Sequence, residues 1–326
     1  MANLTKDQVT HANLLGNFYF QWEIIKGLKY KFSAATNYNY FYNEYYRSSE
    51  LPLQGEKYFQ SPSNPVAKSS GTYYLNWLIE NTLNYQKNFN GHNLNAIIGF
   101  TAQKDMMKKH SVQATDFVND LVQNVAGGIV STGGADSQAW ALASFLARAQ
   151  YDYKGKYLFE ANFRADASSR FAPGNRWGYF PSFSGAWRIS EESFMETLRD
   201  SWLSSLKIRG SWGQLGNQDA LGDGTPTGGG YYPWMNTYNL GANYPFGGSL
   251  VTGYYQGSYK MASLSWEKAT TWGIGIDFTL FNKLTGSIDY YNKKTTDIIM
   301  NVSVPKEFAL GAYKDNVGAM KNSGIE

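Results

Sequence analysis

The chain has 326 residues, with 29 Lys plus Arg against 26 Asp plus Glu and a formal net charge of +3. That balance is too small to argue for nucleic acid, and the lack of cysteine excludes disulfides and thiolate metal sites. Mean hydropathy is −0.44, and no apolar run reaches the roughly 20 residues that a membrane-spanning helix needs.

The first alternating run covers about Ala12 to Glu23 and puts Phe18, Phe20, Trp22 and Ile24 on one face. Gly27 turns into a second run, Leu28 to about Tyr46, and a Pro- and Ser-containing connection follows from Arg47 to Ser70. A third run, Gly71 to Asn88, meets a fourth, His92 to Lys104, through the hairpin dipeptide Asn90-Gly91. Asp105 to Ser137 predicts a long connection, part of it helical.

Gln138 to Tyr153 is a fifth strand, because Arg148, Gln150 and Asp152 share one parity and Ala147, Ala149 and Tyr151 the other. Lys154-Gly155 turns into the sixth. There Tyr157, Phe159, Ala161 and Phe163 oppose Leu158, Glu160, Asn162, Arg164 and Asp166. A tip with Pro173-Gly174-Asn175 leads to the seventh strand, where Phe183, Gly185 and Trp187 alternate with Ser184, Ala186 and Arg188.

Ser190-Glu191-Glu192 predicts a helix N-terminus, a Ser cap followed by two acids, with a short helix to about Leu198. The eighth strand runs from Leu206 to Leu215. The longest connection, Gly216 to Trp266, is dense in glycine and aromatics and includes the run Gly228-Gly229-Gly230. Glu267 to Leu280 and Leu284 to about Ile299 form the ninth and tenth strands around the turn Phe281-Asn282-Lys283. Asn316 to Glu326 reads as the approach to another strand.

Short and long connections therefore alternate, the asymmetry of an up-and-down membrane barrel. The expected fold is all-β: an antiparallel up-and-down transmembrane β-barrel of about ten strands. Aromatics at 17% and 33 glycines suit girdles and turns of such a wall. Tyr38, Tyr40, Tyr42, Tyr45 and Tyr46 are expected at the rim with the long connections, and Tyr151, Tyr153 and Tyr157 in the opposite girdle. Lipid does not solvate the polar face, so Arg148, Asp152, Arg164, Asp166, Lys207 and Arg209 are candidate lumen-facing residues. They either cross-pair along the wall or meet something inside it. A passive pore and a soluble glycan-binding β module remain alternatives; the second expects the apolar strand faces to meet in a core.

Catalytic chemistry is not legible. The three histidines, His11, His92 and His110, have no metal-ligand spacing, and Gly273-x-Gly275 lies inside a strand and opens no helix. No enzyme activity, metal or cofactor is expected. The candidate ligand-contacting loop is the long connection, with Tyr231, Tyr232, Trp234, Tyr238, Tyr244, Phe246, Tyr254 and Tyr255. Flat rings bearing hydroxyls stack on sugars; packing of loop on loop is the competing role.

Ser168-Ser169-Arg170-Phe171, then Asn175-Arg176-Trp177-Gly178-Tyr179-Phe180-Pro181-Ser182, then Ala186-Trp187-Arg188-Ile189-Ser190-Glu191-Glu192 resembles the barrel signature of the SusC/RagA family. Leu206-Lys207-Ile208-Arg209-Gly210-Ser211-Trp212-Gly213, Leu264-Ser265-Trp266-Glu267-Lys268 and Ile288-Asp289-Tyr290-Tyr291-Asn292-Lys293-Lys294 continue it in family order, as does Asn316-Val317-Gly318. Within the signature, Arg170, Phe171, Arg176, Trp177, Gly178, Pro181 and Trp187 carry the match in a structural role. Ala167 stands where the family often has glycine.

The resemblance implies a TonB-dependent outer-membrane importer of Bacteroidota type, with a 22-stranded barrel and an N-terminal plug. It also implies a SusD-like surface lipoprotein as partner, TonB coupling through the plug, and a glycan or peptide substrate. On this reading residues 1–326 are part of the barrel domain, with the plug and the C-terminal strands outside the sequence, embedded in outer-membrane lipid.

Overall fold

The computed structural model describes residues 4–51, 64–219, 231–235, 238–257, 261–305, 307 and 312–326. The Gly228–Gly230 run lies outside them. The chain opens with β1 (Thr5–Ile25), β2 (Leu28–Arg47), β3 (Val66–Phe89), β4 (His92–Thr115) and β5 (Ile129–Tyr153). It continues with β6 (Tyr157–Ser168), β7 (Trp177–Arg188) and β8 (Leu203–Asn217). Four three-residue strands follow, β9 (Tyr238–Leu240), β10 (Tyr244–Phe246), β11 (Ser249–Val251) and β12 (Tyr254–Gln256). The last are β13 (Glu267–Leu280), β14 (Leu284–Ser303) and β15 (Ala312–Ile325).

One 11-stranded sheet has the order β1-β2-β3-β4-β5-β6-β7-β8-β13-β14-β15, so every neighbour but one is consecutive and β1 and β15 lie at its edges. The exception is β8–β13, between which the four short strands pair off as β10–β11 and β12–β9. This is the expected up-and-down arrangement.

Four details differ from the sequence reading. The main sheet has 11 strands rather than about ten, because the chain end does not merely approach a strand: Ala312–Ile325 pairs along β14. Second, β4 runs to Thr115 and β5 starts at Ile129, which replaces the expected long connection by residues 116–128, with one 3₁₀ turn at Val125–Gly127. The alternation signal needs one greasy and one wet face. Here Lys108, Lys109, His110 and Ser111 are all exposed, so nothing alternates.

Third, Ser190 caps no helix. It is buried inside the 3₁₀ turn Ile189–Glu191, which is followed by a second, Ser193–Met195, and a single α turn, α1 (Glu196–Arg199). Fourth, Tyr46, one residue from the end of β2, is fully buried against the 116–128 connection. Its ring meets Phe117 edge-on at 5.6 Å and its hydroxyl donates to Asp120.

The chain divides into two compact units. The first comprises Met1–Phe18, Ser33–Ile79 and Gln103–Trp140; the second comprises Tyr19–Phe32, Glu80–Ala102 and Ala141–Glu326. Within the first, residues 116–128 are latched to the end of β2. Ser49 donates its hydroxyl to Asp120 at 2.6 Å and its backbone N–H at 3.1 Å. These bonds, Ser49 first and then Tyr46, hold the Asp120 carboxyl below its ordinary pKa.

Within the second unit, the registers of β5 to β8 and β13 to β14 sort side chains strictly by face. Phe163, Trp187, Trp212 and Ile276 lie on one face and are 45%, 38%, 37% and 40% exposed. The apolar strand faces thus do not meet in a core, which removes the premise of the soluble module. A continuous exposed apolar surface of this kind marks a membrane or partner contact. At the end with the short turns it carries stacked rings: Tyr153 on Tyr157 at 6.4 Å and Tyr157 on Trp187 at 6.3 Å. His92 shares a 2.7 Å hydrogen bond with Tyr151 there. The turns at Asn90-Gly91 and Lys154-Gly155 have positive φ at both central residues, the twist-matched type I′ geometry.

Candidate functional site

The opposite face of the second unit is polar and concave, around a cavity of about 960 Å³. Gln86 and Asn95 line one side, Gln150, Glu160 and Arg209 the middle, and Asp289 and Lys293 the far side. All six candidate polar residues of the sequence reading lie on this face. Arg148 pairs with Glu160 at 3.2 Å, and Arg164 with Asp166 at 2.8 Å. Lys207 pairs with Asp277 at 2.7 Å, and Arg209 reaches both Asp277 at 3.2 Å and Asp289 at 2.6 Å. Asp152 behaves differently: it accepts the Gly155 N–H at 2.6 Å and so ties the β5–β6 turn. Arg148, Lys207 and Arg209 thus pair across strands, whereas Arg164 and Asp166 pair within β6.

Sequence reasoning misses Asp289 and Gly275 as site residues, yet they complete the Arg209 network. Gly275 sits opposite both Arg209 and Asp289 in the register, and a Cβ there would come within 2.3 Å of Asp289 Oδ1. Only glycine lets the ion pair pass over β13. Nothing but cross-strand register could have revealed this.

The signature residues split by face. Trp177, Pro181 and Trp187 belong to the apolar face, where Trp177 stacks on Phe145 at 6.1 Å. The β7–β8 ladder begins at Ser182, one residue past Pro181, which has no N–H to give it. Phe171 and Phe180 form a small buried core with Leu264 and Trp266. The Phe180 ring lies over Gly178 and Gly216, at both of which a Cβ would overlap it. The Trp266 indole N–H donates to the Arg176 carbonyl at 2.8 Å, and the Arg176 guanidinium donates to the Phe171 carbonyl at 3.2 Å. Buried Arg170 reaches Asp219 at 3.4 Å. The signature is a bolt between the β6–β7 tip and the long connection.

The eight candidate aromatics fall into two groups. Tyr231 and Trp234 are fastened to the bolt: Arg170 lies over the Tyr231 ring at 5.4 Å, and Trp234 donates to the Ser169 carbonyl at 3.2 Å. Tyr232 is exposed beside them, 6.4 Å from Tyr231. Tyr238, Tyr244, Phe246, Tyr254 and Tyr255 stand exposed on a separate ribbon, β9–β12. Tyr238 meets Tyr254 edge-on at 5.6 Å, whereas Tyr255 pairs with Asn239 on the other side of the ribbon. Residues 238–257 include no charged side chain. Such a surface offers rings, hydroxyls and amides to a neutral ligand.

Residues 3–326 match the family described as TonB dependent receptor-like, beta-barrel. TonB-dependent receptor P39 of Formosa agariphila is 36% identical over 252 residues, which covers 76% of this chain and 23% of that protein. TonB-dependent receptor SusC of Bacteroides thetaiotaomicron is 40% identical over 190 residues, 57% of this chain and 18% of that protein. A chain from the structure of the RagAB peptide transporter superposes with a TM-score of 0.84 at 23% identity, over 99% of this chain and 34% of that one. The chain thus spans about a third or less of the length of the proteins it matches.

Proposed function

Because the chain belongs to the TonB-dependent receptor β-barrel family, on the SusC/RagA side that its motifs indicate, we propose that it forms wall strands of an outer-membrane importer. The carrying observation is the division of the second unit into an exposed apolar face and a concave, ion-paired one. Lipid takes the first. Water, a plug or cargo takes the second, because a mid-bilayer Arg or Lys on the lipid side costs about 2–4 kcal/mol.

In this reading Arg148, Arg164, Asp166, Lys207 and Arg209 face the lumen. Import is TonB-coupled, a SusD-like surface lipoprotein is the partner, and the cargo is an oligosaccharide or a peptide. The uncharged aromatic ribbon at 238–257 favours a neutral oligosaccharide. The family is one of receptors and transporters rather than enzymes.

The chain contains no cysteine, so single cysteines introduced into the intact transporter report face by face. At Phe163, Phe183 and Ile276 they should react with membrane-embedded reagents; at Arg164, Ser184 and Asp277 they should react only with water-soluble ones. Equal labelling of both sets by the water-soluble reagent would sink the assignment.

A further inference from the structure

We infer, resting on the wall assignment above, that the connection between β7 and β8 is an interfacial anchor. It lies along the bilayer surface at the short-turn end, with Phe194, Leu198 and Trp202 set into neutral phospholipid. These three side chains are 67%, 38% and 46% exposed and stand four residues apart. The 3₁₀ turn Ser193–Met195 runs directly into α1, and the Trp202 N–H still donates to the Leu198 carbonyl at 3.2 Å, so helical turns link all three. Side chains four apart on a helix share a face. Glu196 and Asp200 are two residues out of phase, about 200° round the axis, and are exposed on the opposite side. Met195 and Leu203 take the protein side and are buried.

The position of the segment identifies what covers its apolar side. Glu192, two residues before Phe194, accepts from Trp187 and Tyr157, which both belong to the ring row of the apolar face. At the other end the Trp202 carbonyl accepts the Phe281 N–H at 2.8 Å, in the β13–β14 turn, where Phe281 and Leu284 are exposed. Leu284 opens the row Leu284, Gly286 and Ile288, which register sets beside Leu280, Phe278 and Ile276 on the apolar face. Both ends of the connection are thus tied to the short-turn edge of the surface that lipid takes, and Phe194, Leu198 and Trp202 prolong that surface. A helical segment with one apolar and one charged side fits the boundary between headgroups and acyl chains, where tryptophan concentrates.

Charge sets the kind of lipid. Residues 189–202 carry four acids, Glu191, Glu192, Glu196 and Asp200, against the single base Arg199. An excess of acid gains nothing from an anionic leaflet, so apolar burial alone drives attachment and a zwitterionic phospholipid is the partner.

The test uses the intact transporter in phosphatidylcholine nanodiscs, with nitroxide labels at Phe194→Cys, Leu198→Cys and Glu196→Cys, and at Phe163→Cys in the wall. All four positions are exposed, so the labels leave the packing intact. Collision with oxygen, which concentrates in lipid, is compared with collision with a water-soluble nickel chelate. Phe194 and Leu198 should follow Phe163 in favouring oxygen, and Glu196 should favour nickel. Oxygen preference at Phe163 with nickel preference at Phe194 and Leu198 would leave the wall standing and overturn the anchor. So would access of neither reagent to those two positions, the mark of a covering protein segment. An oxygen preference there that appeared only after phosphatidylglycerol was added would overturn the choice of neutral lipid. Nickel preference at Phe163 itself would overturn the wall and the anchor together.

Discussion

Arg209 donates to Asp289 at 2.6 Å across an intervening strand, and the residue beneath that bond is Gly275. The pair and the neighbouring Asp277 are part-exposed, so each ion pair taken alone is worth little. The backbone approach is what makes the site sensitive. In Gly275→Ala the new Cβ sits 2.3 Å from Asp289 Oδ1 and 2.8 Å from Arg209 Cζ, and both side chains must leave. Both contacts are with the free ends of flexible side chains, so the expected cost is that of the displaced bridge, up to about 1 kcal/mol. Gly210→Ala is the control, since its Cβ would meet only the Gly273 carbonyl at 3.8 Å; it should be neutral within about 0.5 kcal/mol. Urea unfolding of the two variants of the intact protein in detergent decides it. Equal midpoints would mean that the bridge over Gly275 contributes nothing.

The connection after β7 is fastened by Glu192. Its carboxylate accepts from the Tyr157 hydroxyl at 2.6 Å, the Trp187 indole at 3.1 Å and Lys156 at 3.3 Å. The Tyr157 bond first, then that of Trp187, hold the Glu192 pKa below its ordinary value of 4.5. A carboxylate with a lowered folded-state pKa stabilises the fold above its unfolded pKa and loses that contribution as pH falls through the folded value. The clamp should therefore be fully present at neutral pH and released only on acidification through a value below the ordinary 4.5. Glu192→Gln should show the released state at every pH. Hydrogen exchange across residues 189–202 reads both. Protection in Glu192→Gln equal to wild type at pH 7 would show that the clamp does not order this connection.

Much of this arrangement is legible in sequence because it depends on period two. Phe159, Phe163, Trp187, Trp212 and Ile276 announce one face of a wall by parity alone, and the structure exposes them together. What parity cannot report is contact across distance. Gly275 looks like an ordinary strand glycine until register sets Arg209 on one side and Asp289 on the other. Tyr46 counts as one of a row of tyrosines until Asp120, 74 residues on, claims its hydroxyl. Ser190 and Glu192 have the right chemistry for a helix start, but tertiary partners for Glu192 outcompete the cap. The upper stretches of β4 and β5 are invisible because both of their faces are wet. The signature was readable as a resemblance; its purpose, joining Arg176 to Trp266, spans 90 residues and needed coordinates.

The two groups of loop aromatics should separate experimentally. Tyr238 and Tyr254 are exposed and touch mainly each other, so Tyr238→Ala and Tyr254→Ala remove ligand surface without removing support. If the ribbon at 238–257 receives cargo, each should weaken binding of a neutral oligosaccharide, by more than about 1 kcal/mol for truncation of an aromatic contact residue, and leave thermal stability unchanged. Trp234→Ala removes the bond to Ser169 and the Arg176 stack at 5.9 Å, so it should lower loop stability instead. Measured affinity and melting temperature for the three variants form the test. Unchanged affinity in both tyrosine variants would return the ribbon to a packing or partner role.

The bolt itself makes the most demanding prediction, because its parts lie far apart in sequence. Phe171 and Phe180 come from either side of the β6–β7 tip, and Leu264 and Trp266 from the end of the long connection. Trp266 packs on Phe171 at 5.3 Å and on Phe180 at 5.5 Å, and its indole holds the Arg176 carbonyl. Trp266→Ala should cost about 3–5 kcal/mol of local stability, the range for truncating a buried aromatic. Trp266→Phe should cost only about 1 kcal/mol, that of one hydrogen bond plus a slight loss of packing. Because the strands below are held by their own ladders, the loss should stay local. Both loops should detach together and expose Arg170 and Arg176 to trypsin, while the apolar face stays inserted in the bilayer. Simultaneous cleavage at these arginines in Trp266→Ala, absent in Trp266→Phe, is the expected result. If the tip stays protected in Trp266→Ala, the signature must serve some purpose other than joining these loops.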